Sequence, residues 1–114
     1  MNHQMKLNPK AFDLMQAGKK DLEVRLYDEK RKQLAVGDTI TFYKLPEKAE
    51  TITKKVIGLV IFASFVDLFK NVDGTRAGWE SGVLPEKMAE HMQQFYTQEQ
   101  QDEFGVLGIF ISRG

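Results

Sequence analysis

The hydrophobic pattern changes period directly after Gly18, and this change constrains the fold more than any other feature of the sequence. Before it, Asn8 and Pro9 are typical of the start of a helix, and Gly18 is typical of its end. After it, residues 21–27 alternate between polar and apolar side chains, which predicts a strand with one apolar face. The sequence therefore predicts a short helix followed closely by a half-buried strand.

The other predicted elements do not alternate regularly between helix and strand. Apolar patterning predicts strands at residues 5–7, 39–43, 52–63 and 106–111, the longest with a bulge or bend at Gly58. Capping residues or proline predict helix starts at Ser64, Pro85 and Thr97. This order argues against a doubly wound parallel sheet. It predicts an α+β fold, a small and mostly antiparallel curved sheet or barrel with helices packed on one side.

One helix face is expected to belong to the core. In the helix that starts at Pro85, the side chains of Met88, Met92 and Phe95 recur every three to four residues, which is the spacing of a single face. His91 lies one position away from this stripe, and we expect it at the partly exposed edge.

Charge and composition exclude several classes of protein. The chain has 114 residues, so we expect a single domain over residues 1–114. Its 16 basic and 16 acidic residues give zero net charge, so any nucleic acid must be bound by a local basic patch. The absence of cysteine excludes disulfides, thiol catalysis and thiolate metal sites. His3 and His91 are too far apart in sequence to suggest a metal site, so we expect no metal and no cofactor.

The sequence indicates neither a secretion signal nor a membrane anchor. Residues 1–6 contain no apolar signal core. The most apolar stretch covers residues 56–63, whereas a membrane-spanning helix needs about twenty residues. We therefore expect a cytoplasmic protein with no membrane partner.

The most informative charged residues lie at the start of the predicted strand: Lys20, Glu23 and Arg25. Same-face neighbours two positions apart on a strand are roughly 6–7 Å apart at the backbone, so Glu23 and Arg25 can form an ion pair. One interpretation is a solvent-facing strand with an ordinary surface ion pair worth about 0–1 kcal/mol. The other is a group of polar side chains that lines a ligand site.

This segment resembles a family signature. The spacing Gly18-x-Lys20-x-x-Glu23-x-Arg25 is similar to that of the ASCH domain, the activating-signal-cointegrator-homology domain of the PUA-like superfamily. Further similarities are the Val36-Gly37-Asp38 turn before a strand, the Ser64-Phe65 helix start after a long strand, the Trp79 region and the closing strand at residues 105–109. The resemblance spans residues 5–111.

The resemblance implies a small PUA-like β-barrel with helices beside it, and a cleft that binds RNA or a nucleotide-like small molecule. The ligand-binding candidates in this cleft are Lys20, Glu23, Arg25, Ser64, Trp79 and Glu80. Trp79 either packs its loop onto the barrel or stacks on a base. Ser64 either caps a helix or donates to the ligand.

The resemblance also implies an alternative function, that of an enzyme. Some small bacterial members are amidohydrolases that remove the acetyl group from N4-acetylcytidine, and they are thought to use a lysine, a threonine and a later glutamate. Lys20 matches the lysine, Glu23 stands at the threonine position, and Glu80 corresponds to the later glutamate. If the chain is an enzyme, Lys20 and Glu23 are the catalytic candidates.

Binding is nevertheless the preferred interpretation. A carboxylate between two cations has a low pKa and is a weak base, so we expect Glu23 to bind rather than to catalyse. The alternatives are a hydrolase, either an amidohydrolase or a ribonuclease, and a protein-interaction module. The basic run Lys30-Arg31-Lys32 is typical of a solvated turn, and its alternative is to border the cleft and contact phosphates.

Overall fold

The computed structural model describes residues 1–113 of the chain. This part contains five strands and four α-helices. Strands β1 to β5 span Asn2–Leu7, Leu22–Leu26, Thr39–Lys44, Thr51–Phe62 and Val106–Ile111. Helices α1 to α4 span Pro9–Gln16, Phe65–Asn71, Pro85–Met92 and Gln98–Phe104. Two short 3-10 helices lie at Arg31–Gln33 and Gly74–Ala77. Within residues 1–113, no helix is both long enough and apolar enough to cross a membrane.

The predicted start and stop signals of the helices are present. The Asn8 side chain accepts a hydrogen bond of 2.8 Å from the Ala11 N–H, and the chain leaves α1 through Gly18 at φ 76°, a left-handed conformation that favours glycine. At α4, Thr97 and Gln100 form a complete capping box. Local sequence thus sets the ends of both helices.

The five strands form one curled sheet in the order β1-β3-β4-β5-β2. Strands β1 and β3 are parallel, whereas the other three pairs are antiparallel. The long strand β4 pairs with β3 through its first half and with β5 through its second half, and the register shifts between Val56 and Gly58. A bulge of this kind bends a strand, which curls the sheet into a half-barrel. The predicted α+β fold and the irregularity at Gly58 are confirmed.

The core consists of two hydrophobic clusters. The first packs α1 against β1 and β3 and includes the fully buried Phe12 and Ile40. The second packs α2 and α3 against β2 and includes Phe65, Leu68 and Met88. Helix α1 and the pair α2 and α3 therefore belong to different parts of the core.

The polar residues at the start of β2 are buried, which a solvent-facing strand would not allow. Asp21 and Glu23 are only 5% and 6% exposed. The 3-10 helix Gly74–Ala77 packs against this strand, and the carbonyl oxygen of Arg76 accepts a 2.9 Å hydrogen bond from the Asp21 N–H. The interpretation as an ordinary surface ion pair is therefore wrong, because tertiary packing covers the polar side of the strand.

The predicted core stripe of α3 ends earlier than its spacing suggests. Met88 is buried and Met92 is partly buried, but Phe95 is 61% exposed. Helix α3 ends at Met92, so the following turn carries Phe95 out of the helical face. The prediction that Phe95 belongs to the core is wrong for this reason.

Candidate ligand-binding cleft

Lys20, Glu23 and Arg25 form one ion-pair network at the start of β2. Glu23 Oε1 lies 3.1 Å from Lys20 Nζ, and Glu23 Oε2 accepts hydrogen bonds from Arg25 Nη2 at 2.7 Å and Nε at 3.1 Å. The side chains of Lys20 and Glu23 are 4% and 8% exposed, and that of Arg25 is 17% exposed. The ion pair expected from the two-residue spacing is therefore present, and the carboxylate lies between two cations.

The ammonium group of Lys20 is surrounded by protein oxygens. Besides Glu23, it donates to the carbonyl oxygens of Leu22 at 2.7 Å and Ala77 at 3.0 Å. An ammonium has three N–H donors, so each donor has an acceptor in the protein. Lys20 thereby connects β2 to the end of the 3-10 helix Gly74–Ala77. A ligand would have to displace one of these acceptors to reach Lys20.

The network keeps Glu23 ionised. Burial alone raises the pKa of the Glu23 carboxyl, but Lys20 and Arg25 together outweigh it and lower the pKa to about 2. Burial likewise lowers the pKa of the Arg25 guanidinium, whereas Glu23 and Tyr96 raise it above its ordinary value. Glu23 is consequently a hydrogen-bond acceptor and a very weak base at neutral pH.

Arg25 also connects the two edge strands. Its Nη2 donates a 2.8 Å hydrogen bond to the carbonyl oxygen of Lys6 in β1. Strands β1 and β2 are the ends of the sheet order, so each has one side without a paired strand. The Arg25 side chain therefore lies across the gap of the half-barrel.

A second ion-pair group fixes the loop that follows α2. Asp21 accepts hydrogen bonds from Arg76 Nε at 2.9 Å and Nη2 at 3.1 Å, and from Arg113 Nε at 3.1 Å. The hydrogen bonds from Arg76, opposed by desolvation and reinforced by Arg113, lower the pKa of Asp21. The Arg76 guanidinium also lies over the Phe110 ring, 4.5 Å from its centroid. The loop that carries Trp79 is thus tied to the sheet.

The Lys20–Glu23–Arg25 network and a group of aromatic side chains, here called the aromatic wall, together line a cavity of about 690 Å³. The Trp79 ring packs edge-on against His91 at 5.1 Å and against Phe69 at 6.5 Å between ring centroids. His91 in turn packs against Phe95 at 5.6 Å. The Tyr96 ring also lines the cavity, and it stacks on the ring of the buried Phe65. The cleft is thus lined by charged groups and by aromatic rings, of which all but the buried Phe69 are partly or fully exposed.

The model of the ASCH domain family matches residues 5–111 of the chain. The chain belongs to the ASCH domain family. The fold agrees with membership, since a curled, mostly antiparallel sheet with helices beside it is the PUA-like arrangement. No curated protein matches the sequence of this ASCH domain.

Solved structures support the same fold. The hypothetical protein PH0355 is 32% identical, with a TM-score of 0.84 and 98% of each chain covered. Protein PF0455 from Pyrococcus furiosus is 28% identical, with a TM-score of 0.76, covering 98% of this chain and 96% of that one. An ASCH protein from Zymomonas mobilis is 13% identical, with a TM-score of 0.67, covering 97% of this chain and 66% of that one. At that identity, the last comparison concerns the fold alone.

The cleft of this ASCH domain brings together four of the six ligand-binding candidates. Lys20, Glu23, Arg25 and Trp79 line it, whereas Ser64 and Glu80 do not. The Ser64 Oγ accepts a 3.2 Å hydrogen bond from the Asp67 N–H and caps α2, as its structural interpretation predicts. Glu80 is exposed beside the cleft-lining tryptophan.

Sequence reasoning missed four residues of the aromatic wall, namely Phe69, His91, Phe95 and Tyr96. The helical spacing that assigned Phe95 to the core concealed its position in the cleft. The signal available in the sequence was the pair of adjacent aromatic residues, Phe95 and Tyr96, just beyond the end of α3. Among residues 1–113, no group of three His, Asp or Glu side chains has an arrangement that could hold a metal ion.

Proposed function

We propose that this ASCH domain binds RNA or a modified nucleoside by holding one base in the cleft between Trp79 and the Lys20–Glu23–Arg25 network. The observation that carries the proposal is the pairing of a charged wall with an aromatic wall in one cavity. Its volume of about 690 Å³ falls within the usual range of small-ligand sites.

The two walls suit different parts of a nucleobase. Aromatic rings stack on the face of a base, which is worth about 1–3 kcal/mol per base and tolerates any sequence. Glu23 is ionised and accepts hydrogen bonds, so its carboxylate suits the amino or imino donors on the edge of a base. The Arg25 guanidinium supplies donors for carbonyl oxygens on the same edge. A nucleobase offers both the flat face and the mixed edge that this cleft requires.

The cleft is less well suited to hydrolysis. The low pKa of Glu23, about 2, makes it a weak base, and the donors of Lys20 already have acceptors. No serine or threonine among the described residues lines the cavity, so it offers no aliphatic hydroxyl as a nucleophile. These features support binding over the amidohydrolase and ribonuclease alternatives.

Tryptophan fluorescence tests the proposal directly, because Trp79 is the only tryptophan of the chain. Purified protein is titrated at fixed salt with single-stranded RNA oligonucleotides and with free nucleosides. Phe95→Ala removes a ring that is 61% exposed, so the variant should fold normally. We expect its affinity to fall by about five-fold to a hundred-fold, which corresponds to the removal of one stacking ring.

The matched control removes an exposed apolar side chain that does not line the cleft. Ile57 is 53% exposed on β4, and Ile57→Ala should bind as tightly as the wild type. Unchanged affinity in the Phe95→Ala variant, or fluorescence that no RNA or nucleoside alters, would count against base binding in this cleft.

A further inference from the structure

A second cavity of about 500 Å³ adjoins the cleft beside β1. The side chains that line it include five cations, namely Lys6, Arg25, Lys30, Arg31 and Lys48. Within residues 1–113, no carboxylate lines this cavity. The cations come from the first strand, the second strand, the turn after it and the loop after β3, so the fold brings together residues that are distant in sequence.

Most of this positive charge is not neutralised by the protein. No carboxylate within residues 1–113 forms an ion pair with Lys6, Lys30 or Lys48. The two guanidiniums each have one acidic partner, Glu23 for Arg25 and Asp28 for Arg31 at 3.1 Å. The chain as a whole has zero net charge, so the cationic character of this cavity is local. Clustered like charges repel one another, and a bound anion relieves the repulsion.

Arg31 provides a second, independent indication that this cavity binds an anion. Its Nε is buried and has no hydrogen-bond acceptor among the described residues, while its Nη1 donates to Asp28 Oδ2 at 3.1 Å. A buried donor without an acceptor is costly, and an anion in the adjoining cavity would offset this cost by pairing with the charge of the same guanidinium. Arginine is suited to phosphate because its planar fork matches two phosphate oxygens.

The two cavities share two residues, since Lys6 and Arg25 line both. An occupant of the cleft and an occupant of the second cavity would therefore be neighbours. In single-stranded RNA, a base and the phosphodiester groups beside it have this relationship. A free nucleoside occupies only the first cavity and leaves the lysines of the second without an anion.

We propose that the second cavity binds a phosphodiester group next to the base held in the cleft, so that the ligand is an RNA strand of at least two nucleotides. The inference rests on the proposed function and adds to it the identity of the ligand as a strand rather than a free nucleoside. The basic run at residues 30–32 then has a role beyond that of a solvated turn, with Lys30 and Arg31 facing the strand.

The experiment compares two double variants that remove the same charge. Lys30→Gln with Lys48→Gln changes the second cavity, whereas Lys10→Gln with Lys55→Gln changes two exposed lysines that line neither cavity. All four lysines are exposed, so both double variants should fold. The probes are the four nucleosides and the four homo-trinucleotides of RNA, and their binding is followed by the fluorescence of Trp79 at several salt concentrations.

We expect the wild type to bind a trinucleotide more tightly than its nucleoside. The Lys30 and Lys48 variant should bind the trinucleotide about tenfold more weakly, and its salt dependence should become shallower by about 0.7 for each phosphate that no longer pairs with a lysine. Nucleoside affinity should be unchanged in both double variants, and the Lys10 and Lys55 variant should bind the trinucleotide like the wild type.

Three outcomes would overturn the inference. Equal losses of affinity in the two double variants would show that only overall charge matters, and equal wild-type affinities for nucleoside and trinucleotide would show that no phosphate is held. In both cases the base cleft itself would stand. A wild type that binds neither nucleosides nor trinucleotides would overturn the proposed function together with this inference.

Discussion

Arg25 Nη2 donates a hydrogen bond of 2.8 Å to the carbonyl oxygen of Lys6, and this bond joins the two free edges of the curled sheet. A sheet edge presents unpaired backbone groups that need another partner. Here one side chain supplies that partner and also contacts Glu23 at 2.7 Å. Closure of the half-barrel and the position of the Glu23 carboxylate are therefore coupled through a single guanidinium.

Replacing Arg25 by Ala is expected to lower the free energy of unfolding by about 1–3 kcal/mol, because the variant lacks the charged hydrogen bonds to Lys6 and Glu23. Lys20 still neutralises Glu23, so the decrease should stay below the roughly 3–5 kcal/mol of an unpaired buried charge. Urea unfolding measures this decrease in the free energy of unfolding. Arg113→Ala is the control because its side chain is 70% exposed and Arg76 still holds Asp21. An equal decrease in both variants would contradict the coupling.

Glu23 makes the stability of the fold depend on pH. Its pKa is about 2 in the folded chain and 4.5 in an unperturbed carboxyl. The stability it contributes is therefore complete above about pH 4.5 and is lost as the pH falls towards 2. The shift corresponds to about 3 kcal/mol at neutral pH.

Comparison with Glu23→Gln isolates this contribution. We expect the wild type to be more stable than Glu23→Gln at neutral pH, and the two unfolding free energies to converge as the pH approaches the folded pKa of about 2. Three aspartates, Asp21, Asp38 and Asp73, also have lowered pKa values, but both proteins contain them and their effect cancels in the difference. Urea unfolding at a series of pH values gives the two unfolding free energies as functions of pH. A difference between them that stays constant with pH would contradict the assignment of this pH dependence to Glu23.

Lys20 is expected to fix the loop that carries Trp79. In a Lys20→Met variant, the carbonyl oxygen of Ala77 has no lysine donor, so the 3-10 helix Gly74–Ala77 should open more often. Hydrogen exchange of the Gly78 and Trp79 amides, which bond to Thr75 and Gly74, should accelerate about tenfold or more.

The neighbouring lysine provides a matched control for this prediction. Lys19 is exposed and forms no ion pair with the described residues, so Lys19→Met should leave the exchange of these amides unchanged. Similar acceleration in the two variants would show that the loop does not depend on the buried ammonium.

Short-range features of this domain could be predicted from the sequence, because they depend on neighbouring residues. The helix start at Asn8, the capping box at Thr97 and the Glu23–Arg25 pair are of this kind. Each follows from a spacing of two or three residues, for which backbone geometry fixes the distance. The strand that carries Glu23 was likewise predictable from its alternation.

The environment of those residues could not be predicted, because it depends on contacts between distant segments. Burial of Asp21 results from Arg76 and Arg113, which are 55 and 92 residues away in the chain. The aromatic wall was missed for the same reason, since a helical spacing assigned Phe95 to the core. The parallel pairing of β1 with β3 is also non-local, and no turn motif in the sequence predicts it.

The remaining prediction separates binding from catalysis. We expect the purified protein to bind N4-acetylcytidine at most and to release little or no acetate from it. Deacetylation requires a nucleophile or an activated water, and the pKa of Glu23, about 2, is too low for efficient general-base catalysis. A tuned general base contributes about 10²–10⁴-fold, so its absence leaves little turnover.

A steady-state assay of acetate release checks this prediction, with Lys20→Ala and Lys19→Ala measured beside the wild type. Robust turnover that is lost in Lys20→Ala but kept in Lys19→Ala would show that the buried ammonium acts in catalysis, and that Glu23 activates water despite its low pKa. Turnover that His91→Ala removes would instead identify the imidazole of the aromatic wall as the base, since His91 is the one histidine within residues 1–113 that lines the cleft. Binding of the acetylated nucleoside without acetate release, seen as a change in Trp79 fluorescence, is the outcome that the ion-pair geometry predicts.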